Sequence, residues 1–95
     1  MNQQVIDQLE RNALAAFRPR GHSMSPRIKS GQQVIVDPNI NNLQVNDIVF
    51  CRVHGNLYVH KIKAIKDGRY LISNLGGHEN GYASKIYGKV IAVNP

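Results

Sequence analysis

The sequence predicts a mainly β protein: a small, coiled, partly closed β-barrel with one N-terminal helix. Three observations predict it. Turn signals recur at short intervals, at Asp37-Pro38, Gly55-Asn56, Asp67-Gly68 and Gly76-Gly77. The segments between them are short and rich in Val, Ile and Tyr, as half-buried strands are. Helical periodicity appears only at the start of the chain.

Residues 2–17 read as an amphipathic helix. Val5, Leu9 and Ala13 share one stripe, Ile6, Leu14 and Phe17 lie beside it, and Pro19 ends it. A helix this short is marginal alone, so it is expected either to pack on the β domain as a lid or to serve as an interaction helix. The chain therefore divides into an N-terminal helix, 1–19, and a β domain, 20–95. Residues 32–37 form a strand closed by Asp37-Pro38, and 39–46 a polar connection. Strands at 47–53 and 57–65 meet in a two-residue hairpin loop at Gly55-Asn56. Asp67-Gly68 turns the chain into a strand at 69–73. Residues 74–84 read as a loop and 85–93 as the last strand.

The hairpin sets a register. With Gly55-Asn56 as its loop, Cys51 faces His60 and Val49 faces Ile62. Side chains alternate along a strand. One face then carries Val49, Cys51, Val53, Tyr58, His60 and Ile62, and should look inward. Ile48, Phe50, Arg52, Val59, Lys61 and Lys63 fall on the other, solvated face.

Composition narrows the function classes. At 95 residues there is room for one domain. The lone cysteine, Cys51, leaves no internal disulfide and fits a reducing compartment. No apolar run approaches the ~20 residues that span a bilayer. Met1-Asn2-Gln3-Gln4 lacks the basic start and apolar core of a secretory signal. A cytoplasmic protein is expected, with no transmembrane segment. The net charge of +6 permits attraction to nucleic acid. The basic residues are scattered, however, and no recognition helix, zinc-ligand spacing or RNA-binding aromatic pattern accompanies them. Neither a metal nor any other cofactor is expected, and a homodimer is left open.

Gly21-His22-Ser23-Met24-Ser25-Pro26 is the stretch that points to chemistry. Gly21 permits backbone angles closed to other residues, and Pro26 restrains its own φ and its predecessor. The result is a stiff loop that presents Ser23 at a surface. Downstream, Tyr58-Val59-His60-Lys61-Ile62 reads as a rigid strand. A serine on a stiff loop and a base on a strand are the two parts of an activated hydroxyl nucleophile.

Together these stretches resemble the clan of serine peptidases that holds the LexA-type self-cleaving repressors and the signal peptidases. The pattern is Gly-x-Ser-Met-x-Pro, then Gly31 before Val34-Ile35-Val36, then Asp47-Ile48-Val49, then Tyr58-Val59-His60-Lys61. A Gly- and Asn-rich turn, Gly76-Gly77-His78-Glu79-Asn80-Gly81, follows, leading to Ile86-Tyr87-Gly88-Lys89-Val90. The ordered set covers residues 20–93. The resemblance implies a peptidase that cleaves itself or a protein partner, with Ser23 as nucleophile. It implies a lysine base in LexA-like and bacterial signal peptidases, and a histidine base in the archaeal and endoplasmic-reticulum ones. Val59-His60-Lys61 looks like the histidine kind, with His60 as general base. A histidine, with its pKa near ~6.5, suits proton transfer at pH 7, whereas an exposed Lys61 would stay charged.

Other roles follow from the same resemblance. Backbone N–H groups near Ser23 would hold the oxyanion, with Gly21 where some signal peptidases carry a serine, and Met24 would pack beneath the loop. The family's Gly-Asp after the serine loop is Gly31-Gln32 here. Histidine-type members orient the base with the aspartate of a Gly-Asp-x-Asn turn. That turn reads Gly77-His78-Glu79-Asn80 here, and Glu79 is the orienting candidate, with His78 a loop residue. Clan members cut after small residues, which makes Ala13-Leu14-Ala15-Ala16-Phe17 a candidate for self-cleavage. Two alternatives stand beside this reading. Cys51 and His60 would make a thiol dyad, and a non-catalytic binding module could have kept the fold, associating with nucleic acid through its charge.

Overall fold

The computed structural model describes residues 2–95. Helix α1 (Asn2–Glu10) leads into seven strands: β1 (Ala15–Phe17), β2 (Gln33–Asp37), β3 (Ile48–Val53), β4 (Asn56–Lys66), β5 (Arg69–Ser73), β6 (Glu79–Tyr82) and β7 (Lys85–Asn94). They form one antiparallel sheet in the order β1-β2-β7-β3-β4-β5-β6. The register shifts between β2 and β7, β3 and β7, β4 and β5, and β5 and β6. Such irregularities bend and twist a sheet. The sheet is not closed into a barrel: β1 and β6 remain as edges, where the sequence suggested partial closure.

Two elements differ from the expectation. The helix stops at Glu10 rather than running to residue 17. Asn12 takes φ 64°, the Asn12 N–H donates to Leu9 O, and the Ala13 N–H donates to Gln8 O. This pair of bonds around a left-handed residue is a Schellman closure, which asparagine tolerates. The alanines beyond it then pair with β2 as strand β1, Ala15 opposite Val36. The stretch read as a 74–84 loop also contains a strand, β6, paired with β5.

The β3–β4 hairpin turns at His54-Gly55, with φ 48° and 82°. Positive φ at both positions is what a type I′ turn demands. The loop lies one residue earlier than expected, so each cross-strand partner moves by two. Val49 faces His60, and Cys51 faces Tyr58. A shift of two preserves the faces, so His60 stays on the side of Val49, Cys51 and Ile62.

Both faces of the sheet are packed. Val49, Cys51, Val53, Ile62, Ile72 and Ile86 form one buried cluster. The face expected to be solvated carries Ile48 and Phe50 into a second cluster, covered by Val5, Ile6 and Leu9 of α1 and by Met24 and Ile28. The helix thus acts as the lid its stripe suggested.

Candidate active site

The segment between β1 and β2 holds Ser23, and local bonds shape it. Gly21 sits at φ 105°, where a side chain would be strained. Near its base, Gly31 N–H donates to Pro19 O at 3.3 Å and Gly21 N–H to Ser30 Oγ at 3.2 Å. Met24 and Ile28, both 4% exposed, anchor the loop in the core, and Ile28 N–H donates to Met24 O. From the other side, Leu75 N–H donates to Ser23 O at 3.0 Å. Ser23 itself is exposed.

This brings Ser23 to the middle of β4. Ser23 Oγ lies 2.9 Å from His60 Nε2, and His60 Nδ1 lies 2.7 Å from Asn80 Oδ1. An amide oxygen only accepts, so Nδ1 donates to it. In the neutral ring Nε2 is then free to accept the Ser23 hydroxyl proton. His60 is 7% exposed, and the Tyr58 ring lies against it at 4.8 Å between centroids. Burial lowers the His60 pKa below the ordinary 6.5; the Asn80 hydrogen bond opposes this, and nearby His78 adds to it. Burial therefore favours the neutral ring. The N–H groups of Ser23 and Met24 have no hydrogen-bond partner among the described residues.

The serine and histidine open onto a cleft of about 480 Å³, lined by both and by Gly21, Phe17, Phe50, Leu57 and Val59 among others. A hydroxyl in contact with a neutral imidazole, beside free backbone donors and an open cleft, can attack a carbonyl carbon. The sequence pattern of the family described as Peptidase S24-like matches residues 2–91. The chain belongs to that family. No curated protein matches it.

In this Peptidase S24-like chain the expected residues divide. Ser23, His60, Gly21 and Met24 all line the one cleft, with Met24 buried beneath the loop. Glu79 does not reach His60. Its carboxylate accepts from Lys63 Nζ at 2.7 Å, and that pairing holds its pKa low. The neighbouring Asn80 makes the contact instead, because successive residues of β6 point to opposite faces. Asn80 stands at the asparagine of the Gly-Asp-x-Asn pattern, but the orienting residue of that pattern is its aspartate, so the correspondence alone does not single Asn80 out. The Cys51–His60 pair is absent. Cys51 faces Tyr58 and is fully buried, and burial pushes its thiol up to about 12, leaving no thiolate to attack. Lys61 pairs with Ile48 and projects to the face opposite His60.

The stretch Ala13–Phe17 also changes meaning. Its last three residues form β1, with Ala15 3% exposed. A peptide bond held in a sheet is not offered as an extended substrate, so cleavage there first requires β1 to leave β2. Among the described residues no helix is long and apolar enough to cross a membrane.

Proposed function

We propose that the protein is a serine endopeptidase acting on a polypeptide other than its own β1 segment. Ser23 is the nucleophile, His60 the general base, and Asn80 the residue that holds the His60 ring. The 2.9 Å contact between Ser23 Oγ and His60 Nε2 carries this reading. As Oγ attacks the scissile carbonyl carbon, its proton passes to Nε2. Charge develops on the carbonyl oxygen, and the N–H groups of Ser23 and Met24 are the candidates to receive it. His60 then gives its proton to the leaving amine as the C–N bond breaks. Water, deprotonated by His60, attacks the acyl-enzyme and releases Ser23. Membership of the Peptidase S24-like family supports a protein substrate. The lone thiol, free and buried, suits the reducing cytoplasm.

A serine-directed phosphonate probe with peptide mapping by mass spectrometry tests the assignment. We expect a single label on Ser23, absent from Ser23→Ala. The labelling rate should fall about a hundredfold or more in His60→Ala and change little in Lys61→Ala. Labelling of Ser23 at an undiminished rate in His60→Ala would remove His60 from the role of base.

A further inference from the structure

The cleft beside Ser23 has a composition of its own. Phe17, Met24, Ile28, Phe50, Leu57 and Val59 give it an apolar lining. Phe17, Leu57 and Val59 are only half-buried, so apolar surface there remains uncovered. The lining is firm, because the Phe17 and Phe50 rings pack at 5.1 Å between centroids and Phe50 packs on Tyr87 at 5.4 Å. Its volume is within the range of sites that enclose a ligand group. An alanine side chain would leave most of that surface in contact with water.

Charge distinguishes one wall. Residues Phe17 to Gly21 run along the cleft from β1 to the serine loop and bring Arg18 and Arg20 to it, both exposed. Arg18 Nη1 donates to Gly31 O at 2.7 Å and is held in place. Arg20 has no hydrogen bond or ion pair among the described residues. No aspartate or glutamate lines the cleft.

We propose that the cleft selects an extended polypeptide segment bearing a bulky apolar side chain with an acidic side chain beside it, the first against the Phe17–Phe50 lining and the second at Arg20. This deepens the peptidase reading, since the occupant would be the substrate of Ser23. The apolar side chain supplies affinity by leaving water. The acidic one supplies selectivity, since a cationic rim attracts it and repels a basic one.

Equilibrium binding to the Ser23→Ala protein tests this with hydrolysis removed. Four fluorescently labelled peptides of one length carry Leu-Glu, Leu-Gln, Leu-Lys or Ala-Glu at their centre, and anisotropy reads their affinities. The Leu-Glu peptide should bind tightest. Replacing Leu by Ala should weaken it about tenfold or more, the scale set by apolar pockets. Replacing Glu by Gln should weaken it about two- to fivefold at low salt, and added salt should erase that difference. In the Arg20→Glu, Ser23→Ala protein the order of the Glu and Lys peptides should reverse. Equal affinity for the Leu-Glu and Ala-Glu peptides, a charge preference indifferent to Arg20→Glu, or no binding of any peptide would each overturn the proposal. The two readings fail separately: selective binding without probe labelling of wild-type Ser23 removes the peptidase and keeps the cleft, and labelling without selective binding does the reverse.

Discussion

His60 makes two hydrogen bonds at once, and each fixes one ring nitrogen. The mechanism needs the ring neutral, and burial lowers its pKa below 6.5. On that mechanism kcat/KM rises with pH through a midpoint below the ordinary 6.5 and levels off above it. The same shift links to stability. The unfolded chain holds the His60 proton over a window where the folded chain has lost it. This contribution to stability therefore grows as pH rises through that window and is complete above about 6.5. Asn80 can be separated from Glu79 on the same profile. Asn80→Asp places a carboxylate against Nδ1 and should move the midpoint upward. Asn80→Ala should lower kcat about ten- to a hundredfold with KM nearly unchanged, and Glu79→Gln should leave both profile and rate alone. An unmoved midpoint in Asn80→Asp would deny Asn80 its positioning role. Ser23 and His60 were legible because a stiff loop and an apolar strand face each leave a local pattern. The choice between Glu79 and Asn80 was not, because it depends on which residues of a strand face the sheet interior, and the glycines around them read as a loop.

The elements themselves show where local chemistry suffices and where it does not. Turn signals and β-branched runs located the five strands expected from the sequence to within a residue or two. The helix was overrun because Ala13, Ala15 and Ala16 are strong helix formers, while the stop lies in the single left-handed Asn12. His54-Gly55 and Gly55-Asn56 are both plausible turns, and the pairing across the whole hairpin decides between them. One close approach between elements gives a direct test. Gly88 of β7 lies where an added Cβ would stand 2.5 Å from Val36 Cγ1 and 2.6 Å from the Asp37 carbonyl oxygen. The backbone oxygen cannot swing aside as a side chain can. Gly88→Ala should therefore destabilise the protein by about 1–3 kcal/mol, as overpacking does. The readout is a lower urea midpoint at unchanged m-value. Gly76→Ala, where the nearest atom would be Asn74 Oδ1 at 3.5 Å, is the control and should be near neutral.

For the molecule as a whole, the organising fact is a sheet buried on both faces. Strand β3 sends Val49, Cys51 and Val53 to one cluster and Ile48 and Phe50 to the other. The unbroken apolar run Ile48-Val49-Phe50-Cys51 carries that information, since a strand covered on both sides loses its polar alternation. The lysines of β4 masked it by suggesting a wet face. Helix α1 shares its cluster with Met24 and Ile28, so the packing that seats the helix also seats the serine loop. The positive charge stays on the surface. Its pairs, Lys63–Glu79 at 2.7 Å and Lys89–Asp47 at 3.5 Å, are solvent-accessible and contribute little to stability.

The strand that carries Asn80 has a consequence for how the protein should fail on heating. β6 spans Glu79–Tyr82, includes Gly81, and pairs on one side only, with β5. Short edge elements open at a small fraction of the global unfolding free energy, whereas β3, in the middle of the sheet, opens only when everything does. His60 would then lose its anchor while the core was still intact. Inactivation should precede melting: the Ser23 labelling rate should decline at temperatures several degrees below the circular-dichroism midpoint. Backbone amides of residues 79–82 should exchange with deuterium well before those of residues 48–53. Equal protection of the two strands, or activity that persists up to the melting transition, would show that the edge is held as firmly as the centre.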